Sequence, residues 1–136
     1  MSVREDIDQS LARCPVVAIL RGIQPHEAAD VAEALLSAGV EVLEVPLNSP
    51  DPFKSIERMA AAVGSRGIVG AGTVLTPEDA RRVAYAGGKV CVTPNTVPAV
   101  IEAALNAGME PMPGFLTPTE AFAAIAAGAR TIKMFP

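Results

Sequence analysis

Residues 103–114, AALNAGMEPMPG, join an alanine-rich segment to a short apolar segment through the pair Ala107-Gly108. Alanine and leucine favour a helix, and a glycine placed directly after a helix readily adopts the left-handed conformation that ends it. The short apolar run bounded by glycine and proline that follows is typical of a buried strand. This stretch therefore predicts a helix that leads at once into a strand.

The same module recurs along the chain at 34–45 (ALLSAGVEVLEV), 82–94 (RVAYAGGKVCVTP) and 123–135 (AAIAAGARTIKMF). Its glycines Gly87, Gly108 and Gly128 are spaced by 21 and 20 residues, a period that fits one helix plus one strand. Six strands are predicted, near 15–20, 40–46, 67–72, 89–94, 110–114 and 130–135. Five helices alternate with them, near 25–38, 51–63, 77–87, 98–107 and 118–127, with proline expected in each first turn, at Pro25, Pro50, Pro77, Pro98 and Pro118.

Alternating strands and helices predict an α/β fold with a parallel sheet. The end of every predicted strand includes a glycine or a polar or charged residue: LRG, EVPLN, GAGT, VTPN, PGFLT and KMFP. An open sheet concentrates its site at one switch point, whereas a barrel gathers all strand ends around one mouth. We therefore predict a (β/α)8 TIM barrel, of which residues 1–136 form a single domain and supply the N-terminal three-quarters. Because such a barrel has eight strands, we expect a C-terminal truncation of two units, roughly 60–80 residues.

The composition excludes several classes of protein. The net charge of -4 comes without a basic run that would suit nucleic acid or an anionic membrane, and no segment is apolar for long enough to span a bilayer. The N-terminus lacks the apolar core of a signal peptide. Cys14 and Cys91 lie far apart, which argues against a zinc site or a disulfide. We expect a cytoplasmic protein with neither a nucleic-acid nor a membrane partner.

Two charged residues interrupt otherwise apolar strands. Glu44 lies within VEVLEVPLN (40–48), and Lys133 lies within ARTIKMFP (129–136). A buried charge is costly unless it is paired or hydrogen-bonded, so a structural Lys–Glu pair is one interpretation. The other is catalytic, since a desolvated lysine can keep a nucleophilic amine while a carboxylate moves protons. The residues by themselves leave both interpretations open.

Weaker candidates follow four other strands. Arg21 ends the first strand and suits bidentate recognition of a carboxylate, although a surface arginine is the competing interpretation. Thr73 offers a hydroxyl after the glycine-rich run GAG, which by itself is common packing. VTPN and PGFLTPTE carry the remaining candidates: Pro94, Asn95 and Gly114.

Six motifs in order resemble the class I 2-keto-3-deoxy-6-phospho-sugar-acid aldolases, from Val16 onward: VAILRG, VEVLEVPLNSP, VGAGTVLTPE, VTPN, PGFLTPTEAF and IKMFP. The resemblance implies a (β/α)8 barrel, a homotrimer, and cleavage of a phosphorylated 2-keto-3-deoxy sugar acid to pyruvate and glyceraldehyde 3-phosphate. It implies no metal and no other cofactor. Loops after strands seven and eight hold phosphate in such barrels, so we expect the phosphate site beyond Pro136.

The resemblance also implies roles for individual residues. Lys133 matches the lysine that forms the Schiff base, and Glu44 matches the glutamate that moves protons through a water. Thr73 matches the threonine near the pyruvate carboxylate, and Phe135 matches the aromatic residue beside the lysine. Substrate contacts are also expected at Pro94, Asn95 and Gly114.

The strand-two motif separates two branches of this family. Gluconate-type members resemble EVTLRT, with an arginine where this chain has Asn48, whereas galactonate-type members resemble EIPLNSP and take their carboxylate-binding arginine from strand one. EVPLNSP and Arg21 therefore resemble the galactonate type, which acts on 2-dehydro-3-deoxy-6-phosphogalactonate. A gluconate-type aldolase, a non-catalytic phosphate-ligand-binding barrel and a barrel isomerase or epimerase are the alternatives.

Overall fold

The computed structural model describes residues 2–136 and contains six parallel strands whose order in the sheet follows the chain. The strands are β1 (Val17–Ile19), β2 (Val42–Pro46), β3 (Ile68–Gly72), β4 (Val90–Thr93), β5 (Glu110–Phe115) and β6 (Lys133–Met134). Six helices alternate with them or precede them: α1 (Val3–Arg13), α2 (Ala28–Ser37), α3 (Pro52–Val63), α4 (Pro77–Tyr85), α5 (Pro98–Asn106) and α6 (Pro118–Ala126). The predicted alternation of strands and helices is confirmed.

Proline begins four of these helices, and four of the five predicted starts lie within one residue of the observed ones. α4, α5 and α6 begin at the expected prolines. The start at Pro25 is wrong, because 25–27 form a turn closed by a hydrogen bond from Glu27 N–H to the Gln24 carbonyl, and α2 begins at Ala28. The helix predicted near 51–63 is confirmed within one residue, although the proline in its first turn is Pro52 rather than Pro50. Within residues 2–136, no helix has the length and apolar character needed to cross a membrane.

Helix α1 was absent from the sequence-based assignment. Its start is a capping box, in which Ser2 Oγ accepts a hydrogen bond from Glu5 N–H and the Glu5 carboxylate accepts one from Ser2 N–H. The buried side chain of Ile7 joins the first residues of β2, β3 and β4 in one apolar cluster. α1 therefore closes the amino end of the sheet, and the Arg4–Glu110 ion pair at 3.3 Å ties it to β5.

The strands sort their side chains onto two faces. Leu43 and Val45 pack with the helices on the outer face, whereas Val42 belongs to a second cluster on the inner face. Glu44 alternates with Leu43 and Val45 and so faces inward.

The sheet is strongly curled. Ile19 of β1 and Lys133 of β6 line the same cavity, although these strands stand at opposite ends of the sheet order. In a flat sheet the first and sixth strands would be about 24 Å apart, given a strand spacing of about 4.8 Å. The six strands therefore form a curled half-barrel with its carboxyl ends at one mouth.

The final strand is shorter and less buried than the sequence predicted. A buried strand was expected over 130–135, but β6 contains only Lys133 and Met134. Met134 is 74% exposed and Lys133 is half-buried. β6 is an edge strand that pairs only with β5 among the described residues, so one side of it lacks a neighbour.

The position of α1 leads to a test of its structural role. We expect Ile7→Ala to lower the free energy of unfolding by about 2–4 kcal/mol, because it leaves a cavity beneath the inner face. Asp8→Ala on the same helix removes an exposed ion pair with Arg4 and should cost less than about 1 kcal/mol. Urea denaturation measures both, and equal effects would contradict the closing role of α1.

Candidate active site

The curl brings the two charged residues of the apolar strands to one place. Glu44 faces inward from β2, and Lys133 faces inward from β6, where it pairs in register with Gly114. Both line a cavity of about 260 Å³. Its other walls are mostly apolar and are formed by Val17, Ile19, Val92, Met112, Thr131 and Ile132. A structural ion pair and a catalytic pair would both place Glu44 and Lys133 close together. The environment of each side chain therefore has to distinguish the two interpretations.

Glu44 is a buried carboxylate without a direct partner for one oxygen. The residue is 2% exposed, and Oε2 has no hydrogen-bond partner within residues 2–136. Burial raises the pKa of the Glu44 carboxyl from 4.5 to about 7, while the positive charges of Lys133 and Arg21 act in the opposite direction. Desolvation therefore has a larger effect on the pKa of Glu44 than the two positive charges have. This environment differs from that of a structural ion pair, in which the partner would hold the carboxylate in its ionised form.

Lys133 lies beside the aromatic residue that was expected to flank it. Its Nζ is 4.6 Å from the centre of the Phe135 ring, within the range of a cation–π contact. The lysine is half-buried, so its amine reaches the cavity from an edge strand. A carboxylate that titrates near neutrality and an amine therefore line the walls of one apolar cavity.

The loops after β1 and β2 carry Arg21 and Asn48, by which the resemblance separates the galactonate type from the gluconate type. Arg21 and Asn48 are both exposed. The loops are joined by a hydrogen bond from Gly22 N–H to Ser49 Oγ at 3.0 Å, and Ser49 is buried. The sequence analysis did not identify Ser49 as a residue of the site. Its position in a turn next to Asn48 was the only signal. This bond fixes the backbone from which Arg21 extends.

Thr73 follows β3 in an uncommon conformation. Its φ of 54° lies in the left-handed region, where a β-branched residue is a genuine outlier. Such strain costs of order 1–3 kcal/mol and is concentrated at functional sites. The half-buried Thr73 is thus held at the mouth of the sheet, and the resemblance implies a substrate-binding hydroxyl at this residue.

Two threonine hydroxyls at and after the end of β4 bind backbone carbonyl groups. Thr93 Oγ1 donates to the Asn95 carbonyl at 2.5 Å, and Thr96 Oγ1 donates to the Gly114 carbonyl at 2.8 Å. A Cβ on Gly114 would lie 2.4 Å from the carbonyl oxygen of Pro94, so this glycine allows β5 to approach the loop after β4. Pro94, Asn95 and Gly114 are near the mouth, and packing explains Gly114.

A larger groove of about 830 Å³ lies on the outer face between α3 and α4, away from these residues. Its walls carry acidic and basic side chains and the Arg82–Phe53 stack, with 3.9 Å from the guanidinium carbon to the ring centre. None of the predicted site residues lines it. Within residues 2–136, no group of three or more His, Cys, Asp and Glu side chains could hold a metal ion.

Two relatives are similar to this chain over most of its length. A protein of Rhizobium meliloti (strain 1021), described as "Probable 2-dehydro-3-deoxy-6-phosphogalactonate aldolase", is 52% identical over 122 residues, which are 90% of this chain and 58% of that protein. A 2-dehydro-3-deoxy-phosphogluconate aldolase of Dickeya dadantii (strain 3937) is 32% identical over 129 residues, 95% of this chain and 60% of that protein. The chain thus spans about 60% of the length of these relatives.

Comparison of the fold with solved structures also indicates similarity to an aldolase. A solved structure described as "Native KDPGal structure" superimposes with a TM-score of 0.88 at 45% identity, over 91% of this chain and 60% of that one. The family model for KDPG and KHG aldolase matches residues 7–136. This range includes all six strands and the two charged residues of the cavity, Glu44 and Lys133. This chain therefore belongs to the KDPG and KHG aldolase family.

Proposed function

We propose that the protein carrying this chain is a Schiff-base aldolase that cleaves 2-dehydro-3-deoxy-6-phosphogalactonate to pyruvate and D-glyceraldehyde 3-phosphate. The observation that supports this proposal most is the shared cavity of Lys133 and Glu44, in which the carboxyl has a pKa of about 7. An amine and a nearby group that exchanges protons at neutral pH are the two parts that such a reaction needs.

In the proposed first stage, Lys133 Nζ attacks the C2 carbonyl carbon of the substrate. The resulting carbinolamine loses water and becomes an iminium ion, which carries positive charge next to C3. Glu44 supplies the proton with which the hydroxyl leaves, directly or through a water. A pKa near 7 lets one carboxyl both donate and accept protons at neutral pH.

In the second stage, a base removes the proton of the C4 hydroxyl and the C3–C4 bond breaks. Its electron pair moves to C3 and into the iminium, giving an enamine, while C4 leaves as the aldehyde carbon. Protonation at C3 restores the iminium, and water then releases pyruvate and free Lys133. We assign these proton transfers to Glu44, the acidic residue that shares the cavity with the lysine.

The substrate carboxylate is assigned to Arg21 and Thr73. Arg21 acts on Glu44 through its positive charge, which is consistent with a guanidinium near the mouth. Thr73 is held there in its left-handed conformation. Phe135 flanks the lysine, and Asn48, Pro94, Asn95 and Gly114 are proposed to border the sugar chain. Fixing the carboxylate would set the C2 ketone against Lys133.

Two features of the assembly are also proposals. We propose that the curled sheet belongs to an eight-stranded (β/α)8 barrel, which the curl and the similarity to the galactonate-type structure support. We also propose a homotrimer, which light scattering of the purified protein tests. A mass other than three times that of one chain would contradict it.

The Schiff base gives the first activity prediction. Incubation with pyruvate and sodium borohydride should leave a stable adduct on Lys133, because reduction fixes the iminium as a secondary amine. The sequence has two other lysines, Lys54 and Lys89, which serve as internal controls in peptide mass mapping. Lys133→Met should abolish the adduct, and Lys89→Met should retain it. An unmodified Lys133, or equal labelling of the three lysines, would contradict the mechanism.

The substrate configuration gives a second prediction. Cleavage of the galactonate and gluconate epimers, measured side by side, should show the higher kcat/KM for the galactonate epimer. A higher kcat/KM on the gluconate epimer would favour the gluconate-type activity.

Arg21→Ala should lower kcat/KM by about a hundredfold or more, since it removes a charged hydrogen-bond donor to the carboxylate. Arg81→Ala, an exposed arginine on α4, is the control.

A further inference from the structure

β3 carries no side chain at two successive inward positions. Val69 and Ala71 pack with the helices, so the intervening Gly70 and Gly72 face the interior of the curl. Glycine inside a strand costs roughly 0.5–1 kcal/mol relative to alanine. Neither residue has the left-handed φ for which glycine is needed. Their presence therefore calls for an explanation in the surrounding contacts.

The two glycines have different neighbours. A Cβ on Gly70 would lie 2.0 Å from the Val90 carbonyl oxygen, so its role is close approach to the backbone of β4. A Cβ on Gly72 would lie 2.1 Å from Glu44 Oε2, 2.4 Å from Glu44 Oε1 and 2.5 Å from Glu44 Cδ. The three atoms nearest to that point all belong to one carboxylate. Contacts shorter than 3.0 Å are essentially never made by a real Cβ.

The register of the sheet explains this contact. Glu44 pairs with Gly70, and Pro46 pairs with Gly72. The Glu44 side chain therefore leans along β3 toward the mouth and covers the Cα of Gly72. This position is also where the carboxylate is buried and where Oε2 lacks a hydrogen-bond partner among residues 2–136.

We infer that Gly72 is a positioning residue for the proposed reaction, because the space left by its missing side chain holds the Glu44 carboxylate in its buried place beside the Lys133 cavity. This inference rests on the function proposed for Glu44. Any side chain at position 72 would push the carboxylate out of that space. Burial is what raises the pKa of Glu44, so its displacement lowers that pKa.

A double-mutant cycle on stability tests the position of the carboxylate without using activity. With Glu44 present, Gly72→Ala must displace the flexible carboxylate, so its effect on the unfolding equilibrium constant should differ by about tenfold or more from its effect without that carboxylate. In the Glu44→Ala background, Gly72→Ala should leave that constant unchanged or lower it, since alanine is better than glycine in a strand. Equal effects in the two backgrounds would overturn the inference.

Failure to fold is also informative in this design. If Gly72→Ala is unfolded but the double variant with Glu44→Ala folds, the clash with the carboxylate is demonstrated. If both variants are unfolded, position 72 has a structural role and the inference is wrong. Gly88→Ala is the matched control, because its Cβ would lie 2.5 Å from Val83 Cγ1 and remote from Glu44. It should destabilise equally with and without Glu44.

The pH profile of cleavage tests the functional half of the inference. In Gly72→Ala, the ionisation that governs kcat in the neutral range should move down by about one pH unit or more. Gly88→Ala should leave that ionisation in place. A Lys133 adduct in the unsubstituted protein combined with an unmoved profile would overturn the Gly72 inference alone. Absence of the adduct would instead remove the proposed function, even if the stability coupling persisted.

Discussion

The burial of the Glu44 carboxylate is the constraint on which the rest of the site depends. Its pKa of about 7, raised from 4.5, corresponds to a cost of about 3 kcal/mol for keeping the ionised form in the folded chain. Because the folded state binds this proton more tightly than the unfolded state does, stability falls as the pH rises from about 4.5 to about 7. Such a cost persists in a marginally stable domain only if other parts of the fold offset it.

Each surrounding element contributes to that environment. The two-residue period of β2 turns Glu44 inward while Leu43 and Val45 pack against the helices. Apolar side chains of β1, β4 and β5 line the cavity and exclude water from the carboxylate. The curl of the sheet brings β6 close enough for the charge of Lys133 to act on it, although desolvation remains the larger effect.

The alternation of strands and helices could be predicted from the sequence, because glycine-ended helices and apolar strands are local patterns. Prediction failed where local patterns compete or where distant contacts decide. Helix α1 was missed because its charged residues masked the capping box of Ser2 and Glu5. Met134 was expected to be buried, but burial of an edge strand depends on a neighbour that no local pattern reveals.

Candidate site residues could be named from the sequence, but the contacts that hold them in place could not. Glu44 and Lys133 were conspicuous because charge inside an apolar strand is rare. The space above Gly72 and the bond from Gly22 to Ser49 depend on the register between strands, which a single sequence does not contain. The left-handed backbone of Thr73 was equally invisible, since threonine has no preference for that conformation.

The central claim is that one desolvated carboxyl works beside one lysine, and titration of the Glu44 carboxyl carbon by NMR tests it most directly. The midpoint should lie near 7. It should be higher in Lys133→Met, because the lysine charge opposes the rise caused by burial. A midpoint near 4.5, or one that does not respond to removal of the lysine charge, would contradict the account.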